Sequence, residues 1–181
     1  MAKLINIVLY QIAWFACTLG AAQNQPWFGL GISFIVLAWH FGQVKHLKNE
    51  AYLLLSALLI GFAFDQTLLS TQLIDYQSHG WNNAVVPMWI LALWLTFATL
   101  LNISLRWMRL HLIYAVLLGL VGGPLAYLGA ESLHAITIVD QRTYWVLAIG
   151  WAVITPLLII LSKRFDGFEP AKLPNNMEVN A

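Results

Sequence analysis

Charge is what this sequence has least of. Only 9% of its 181 residues are Asp, Glu, Lys or Arg, against roughly a quarter in an ordinary soluble domain. So few charges cannot keep a chain that is 60% hydrophobic in water. An integral membrane protein is expected. The formal net charge of +1 supplies no basic surface for nucleic acid, and none is expected as a partner. Cysteine is nearly missing: Cys17 stands alone, which excludes an internal disulfide and a cysteine cage for a metal. It reads as a small apolar residue inside the first helix. The sequence also lacks G-x-S-x-G, a P-loop, a dinucleotide fingerprint, C-x-x-C-H and H-E-x-x-H. The familiar hydrolase, nucleotide, haem and zinc-protease chemistries lose their markers. No cofactor and no metal is expected.

Long apolar runs are what the chain does have. A membrane-spanning helix takes about 20 mostly apolar residues. Six segments fit: 4–22, 26–43, 51–73, 84–105, 110–128 and 142–161. They predict an all-α integral membrane protein, a single six-helix transmembrane bundle over 1–163, followed by a polar, disordered tail over 164–181. Pro26 suits a first helical turn, and Asn49 a cap before helix three. Pro156 inside helix six predicts a kink. The first run, with Lys3 before it and Gly20, Ala21 and Ala22 at its end, also resembles a secretory signal. Its length and Gln11 in its middle favour a retained helix. The stretch from Glu131 to Gln141 is too polar to span and predicts an interfacial helix or an ordered loop.

Positive charge is sorted along the chain. Lys3, Lys45, Lys48, Arg106, Arg109, Lys163 and Arg164 all fall at one side of a six-crossing bundle. The other side has Arg142 with Asp75, Glu131 and Asp140. Cytoplasmic loops carry the excess of Lys and Arg, so both termini are expected in the cytoplasm of a multi-pass protein.

Helix four draws the argument together. Thr96, Thr99, Asn102 and Arg106 fall within about a third of its circumference; Trp94 and Phe97 lie outside this stripe. Hydrocarbon offers polar side chains no partners, so the stripe must face protein or water. In helix three, the run before Asp65 is too short to cross alone, which places this acid in the outer half of the membrane. It reads either as a proton-carrying or ligand-binding carboxyl at the foot of an outward cavity or as a structural acid. Gly119 and Gly123 of helix five have the spacing for close helix contact. Pro124 frees a carbonyl one turn back, and Gly122 and Tyr127 lie at the depth of Asp65. The candidate ligand pocket or proton site is therefore Asp65, Gln66, Gln72, Thr96, Thr99, Asn102, Gly122, Gly123, Pro124 and Tyr127. Lys45, His46, Arg106 and Arg109 form an inner basic rim that could meet an anionic lipid head group. His79, Glu131 and His134 do not have a metal-binding spacing and read as surface residues.

The residues Pro87, Trp89, Leu93, Trp94, Phe97-Ala98-Thr99, Leu101-Asn102, Ser104-Leu105 and Trp107, then Gly119 and Gly122 to Tyr127, resemble a family of small bacterial inner-membrane proteins of unknown function. Asp65 after its aromatic-rich run fits the same pattern. A histidine often stands in that family where this chain has Ile103, which argues against a metal or proton relay at that end. The resemblance implies a compact bundle in the bacterial inner membrane, with a role near envelope or lipid metabolism. It supplies no catalytic residues. The leading expectation is an accessory protein holding a lipid or other amphipathic ligand in an outward-facing polar pocket. The alternatives are a small proton-coupled transporter using Asp65 and a membrane enzyme acting on acyl chains. Partners are expected to be the lipid bilayer, such a ligand, and a membrane protein or a second copy of the chain.

Overall fold

Each apolar run folds as a helix, and one small ribbon joins two of the connections. The computed structural model describes residues 1–168; the remainder of the polar tail lies outside the described residues. The helices are α1 (Ala2–Ala22), α2 (Pro26–Phe41), α3 (Leu47–Ser70), α4 (Met88–Leu101), α5 (Leu112–Ser132) and α6 (Arg142–Arg164). A 3-10 turn, Arg106–Leu110, links α4 to α5. Strands β1 (Ile74–Tyr76) and β2 (Ile136–Ile138) pair antiparallel, with Asp75 opposite Thr137. Helices α1, α3, α5 and α6 are long and apolar enough to cross a membrane; α2 and α4 are shorter. Outward side chains such as Phe34, Leu59, Ile113, Val121, Ile149 and Val153 leave apolar surface uncovered, as a face toward lipid requires and a face toward water does not.

Helix α4 is the interior element. It packs on α1, α2, α3 and α6, and nine of its 14 residues are buried. It is shorter than its sequence pattern implies, and the reason is local. Pro87 is extended (φ −61°, ψ 150°) and fixes the first helical residue at Met88. At the other end the chain tightens after Leu101 into turns that lead to the 3-10 segment.

The ribbon was not legible as strand, being only three residues on each side. Helices α3 and α5 are both closed by the same turn. After α3, Leu73 N–H bonds Leu68 C=O at 3.0 Å and Gln72 N–H bonds Leu69 C=O at 3.0 Å. After α5, Ala135 bonds Ala130 at 2.9 Å and His134 bonds Glu131 at 2.8 Å. These paired bonds are the Schellman arrangement. Its left-handed residue is Gln72 (φ 56°) in one case and His134 (φ 63°) in the other. Each turn delivers the chain directly into its strand, so the stretch read as a loop or interfacial helix is the end of α5 plus β2.

The polar tail also begins differently from expectation. Phe165 to Phe168 fold back over the bundle end. Gly167 C=O accepts the N–H groups of Lys45 and His46, both at 2.9 Å.

Helices α5 and α6 make the closest pairing. A Cβ at Gly119 would overlap the carbonyl of Trp151, and one at Gly123 would overlap its side chain, whereas at Gly122 the nearest atom would be Leu118 Cδ1 at 3.5 Å. Close backbone approach thus uses the G-x-x-x-G edge and leaves Gly122 beside it with room. Gly119→Leu is expected to destabilise the fold by about 2 kcal/mol or more through overpacking, while Gly122→Leu leaves stability nearly unchanged. Thermal unfolding of the two variants in detergent checks this; equal midpoints would refute the assignment.

Candidate functional site

A buried acid needs donors, and Asp65 has three. It is fully buried near the end of α3. Its Oδ1 accepts the hydroxyl of Tyr76 at 2.7 Å and that of Tyr127 at 2.5 Å, and its Oδ2 accepts the indole N–H of Trp94 at 2.6 Å. One carboxyl thereby ties α3 to β1, α4 and α5. Burial and the adjacent Asp65 raise the Tyr76 hydroxyl well above its ordinary range, so it remains a donor at physiological pH. The ribbon is bolted down further by Trp89, whose Nε1 donates to Gln77 C=O at 3.0 Å.

Beside this acid runs a layered aromatic core. Trp94 and Trp151 stack with centroids 4.7 Å apart and planes 6° from parallel. Gly61 of α3 leaves the space that Trp94 fills, and Gly123 of α5 leaves that filled by Trp151. The edge of Phe97 abuts both rings, at 6.3 Å and 5.5 Å. This stack is the floor of a cavity of about 510 Å³ between α1, α4, α5 and α6. Tyr10, Trp14, Trp89, Phe97, Gly122, Gly123 and Tyr127 also line it, and Ile136 of the ribbon is among the wall residues. Helices α1 and α5 flank the opening and barely meet. Ile7 on one and Leu118 and Leu125 on the other are exposed at the rim.

A second cluster lies at the opposite end of the bundle, and its key residue escaped sequence reasoning. Glu50, in the first turn of α3, is fully buried, as is His40 of α2. Nε2 of His40 meets Glu50 Oε1 at 2.7 Å. Because a carboxylate only accepts, Nε2 carries the hydrogen. Glu50 Oε2 accepts Asn102 Nδ2 at 2.5 Å and the Gly167 N–H at 3.2 Å. Arg109 donates to Asn102 Oδ1, to Ser162 C=O at 2.9 Å and to Asp166 at 2.8 Å; Arg106 reaches the same Asp166 oxygen at 2.6 Å. Two carboxylates, Glu50 and Asp166, thus face two guanidiniums, Arg106 and Arg109. A nearby group completes this end: Asn6 Nδ2 donates to Thr99 Oγ1 at 3.3 Å, and Ser104 donates to Asn6 Oδ1 at 2.6 Å.

The ten residues expected in one pocket therefore occupy several places. Gly122, Gly123 and Tyr127 line the cavity, with Pro124 half-buried next to them. Asp65 lies behind Tyr127 and Trp94. Gln66 holds the connection into α4, accepting Val86 N–H at 2.9 Å and donating to Ala84 C=O at 3.0 Å. Gln72 is the exposed turn residue. Thr96 and Thr99 are buried and donate to carbonyls of their own helix, at 3.0 Å and 2.7 Å. Asn102 belongs to the Glu50 cluster. Of the inner rim, Arg106 and Arg109 pair with Asp166, while Lys45 and His46 hold Gly167 through their backbone. At the ribbon end, His79 Nδ1 meets Val85 C=O at 2.7 Å and Glu131 Oε1 accepts the N–H of Ile138 at 2.9 Å. Among the described residues, no three His, Cys, Asp or Glu side chains converge as a metal would need.

A family model described as "Protein of unknown function (DUF2878)" matches residues 3–157. The chain belongs to that family. No curated protein and no solved structure matches it. The DUF2878 match ends within α6, so the residues that close the Glu50 cluster from behind, Ser162, Asp166 and Gly167, lie beyond it.

Replacing Asp65 tests its role as an anchor. Asp65→Ala orphans three buried donors, each worth about 1–3 kcal/mol, and is expected to cost distinctly more than Tyr76→Phe, which loses one. Denaturant titration in mixed micelles reads the difference, and equal losses would contradict it. By the same argument Glu50→Ala, which strands His40 Nε2 and the Gly167 N–H and takes one of two acceptors from Asn102 Nδ2, is expected to loosen the chain end. Faster proteolysis after Arg164 would report it.

Proposed function

We propose that this chain is a non-enzymatic membrane protein that shelters the apolar part of an amphipathic lipid in the groove between α1 and α5. The observation that carries the reading is the cavity itself. Its size, about 510 Å³, falls within the range of roughly 300–1,000 Å³ typical of ligand sites. Its walls are aromatic and aliphatic, and its mouth lies between helices whose outer faces are apolar. Lipid tails are the solvent there, so an acyl or isoprenoid chain enters without crossing water. The ligand site is lateral and apolar, not an outward polar pocket around Asp65; Asp65 instead holds Trp94 and Tyr127 in the wall.

The reading includes six membrane crossings with both chain ends in the cytoplasm. The shorter α2 and α4 cross within the protein interior and with the help of their flanking turns. The Glu50 and Arg109 cluster then seals the cytoplasmic end, and the ribbon covers the outer end. The bacterial inner membrane, and a service to envelope or lipid metabolism, fit the family likeness. Against a proton-coupled transporter stands the stretch of α3 between the two acids. Glu50 and Asp65 are about 22 Å apart along the helix, and between them α3 turns Leu53, Leu54, Ala57 and Gly61 inward. The hydroxyls of Thr96 and Thr99 are spent on their own backbone. No specific arrangement favours acyl-chain chemistry.

The test uses Gly122, which lines the cavity yet has free space above it. The wild type is expected to co-purify with lipid, and Gly122→Phe to fill the groove, keep the thermal midpoint and lose that lipid. Native mass spectrometry from detergent measures this. Unchanged lipid occupancy in a well-folded variant would remove the proposal.

A further inference from the structure

Gln11 is an amide set in an apolar helix. It lies in the middle of α1, about 14 Å along the helix from Ala2 and about 17 Å from Ala22. In a crossing helix both distances put it near mid-membrane, and its side chain is too short to carry the amide to either surface. It is exposed all the same. On the same helix, Asn6 bonds Thr99 and Ser104, and Thr18 bonds the Trp14 carbonyl. Gln11 bonds none of the described residues. Hydrocarbon offers its N–H and C=O groups nothing either, so an exposed amide at this depth calls for a partner from outside the chain.

Its position narrows what that partner is. Gln11 lines the groove, and so do Ile7 one turn before it and Trp14 three residues after it. Ile12 and Phe15, exposed on the lipid side, do not. Gln11 therefore stands on the ridge at the mouth, where a molecule lying in the groove meets it. No Lys, Arg, His, Asp or Glu lines the groove, so an ionised head group brought there would be a bare charge in low dielectric. An amide carries donors and an acceptor together, and only a group that also does both uses it fully. A second copy of the chain seated on Gln11 would lie across the mouth and shut it.

Resting on the groove reading above, we propose that Gln11 is the polar contact at the mouth of the groove, and that it selects a lipid whose polar group is uncharged and both gives and accepts a hydrogen bond, as an alcohol or an amide does. The tail lies on the aromatic floor, and the polar group stays at the rim, where the Gln11 amide reaches it. Charged amphiphiles are rejected because nothing in the groove pairs with them. Pure hydrocarbon enters but leaves the amide unused.

The experiment places the full chain in phosphatidylcholine nanodiscs. Trp14, Trp89, Trp94 and Trp151 line the groove, so their quenching by brominated octadecanol, octadecanamide, octadecane and, at alkaline pH, octadecanoate reports its occupant. The Gly122→Phe variant gives the groove-independent background. Saturable, groove-dependent quenching is expected from the alcohol and the amide at about tenfold lower concentration than from the alkane or the carboxylate, the worth of about one hydrogen bond. Gln11→Leu breaks no protein hydrogen bond and is expected to erase that tenfold; Gln11→Met repeats the test should leucine disturb α1. Equal quenching by the four probes, a preference for the carboxylate, or a preference for the alcohol that survives both substitutions overturns this inference while the lipid-groove reading stands. In the last case, a loss of dimers in Gln11→Leu, read by light scattering in detergent, would give the amide to a second copy instead. No groove-dependent quenching by any probe overturns both readings.

Discussion

The Asp65 carboxyl is the constraint from which most of the upper bundle follows. An acid placed where water does not reach has to be surrounded by donors, and donors come from wherever the chain can supply them. Here they come from three elements far apart in sequence. Tyr76 fastens the ribbon, Trp94 fixes the central helix in rotation, and Tyr127 draws α5 to the same point. With Trp94 set, Trp151 has one flat surface to lie on, and Gly61 and Gly123 are the residues that let both rings fit. The groove is what this arrangement leaves over. Helices α1 and α5 are each held to the central layer and are kept apart by its thickness.

Much of the framework could be read from the sequence because it rests on local periodicity. The six apolar runs became six helices; of the polar stripe read on helix four, Thr96, Thr99 and Asn102 are buried, while Arg106 lies beyond α4 in the 3-10 turn and is partly exposed. The use of Gly119 and Gly123 for close packing was likewise plain from their spacing. What could not be read depends on contacts between distant residues. Glu50 stands near Lys45 and Lys48, where nothing local marks it as buried; its partners Asn102 and Gly167 are 52 and 117 positions away. Trp94 lies off the polar stripe, and only its nitrogen, not its ring, belongs with Asp65. The ribbon has three residues a side, too few for alternation to stand out, although Ile74 and Tyr76 inward with Asp75 outward do alternate.

The two polar clusters divide the labour by position. The Asp65 group uses neutral donors around one acid and shapes the wall of the groove. The Glu50 group balances carboxylates against guanidiniums and closes the other end, where partial exposure of Arg106 and Asp166, 26% and 19%, keeps that ion pair within reach of water. Neither cluster opens onto the cavity with an unused charge. The interior that remains for a ligand is therefore defined mainly by its shape and its apolar, aromatic walls.

The closure at the Glu50 end has a bearing on how the protein is made. Asp166 and Gly167 emerge from the ribosome after all six helices. Until then Glu50, Asn102 and both arginines lack the partners that residues 165–167 supply, and this end of the bundle is not closed. The final step in closing this end thus belongs to the few residues after α6, once all six helices are present. A chain stalled short of this point would display the polar interior that a finished one hides, which is the kind of difference a quality-control protease can read.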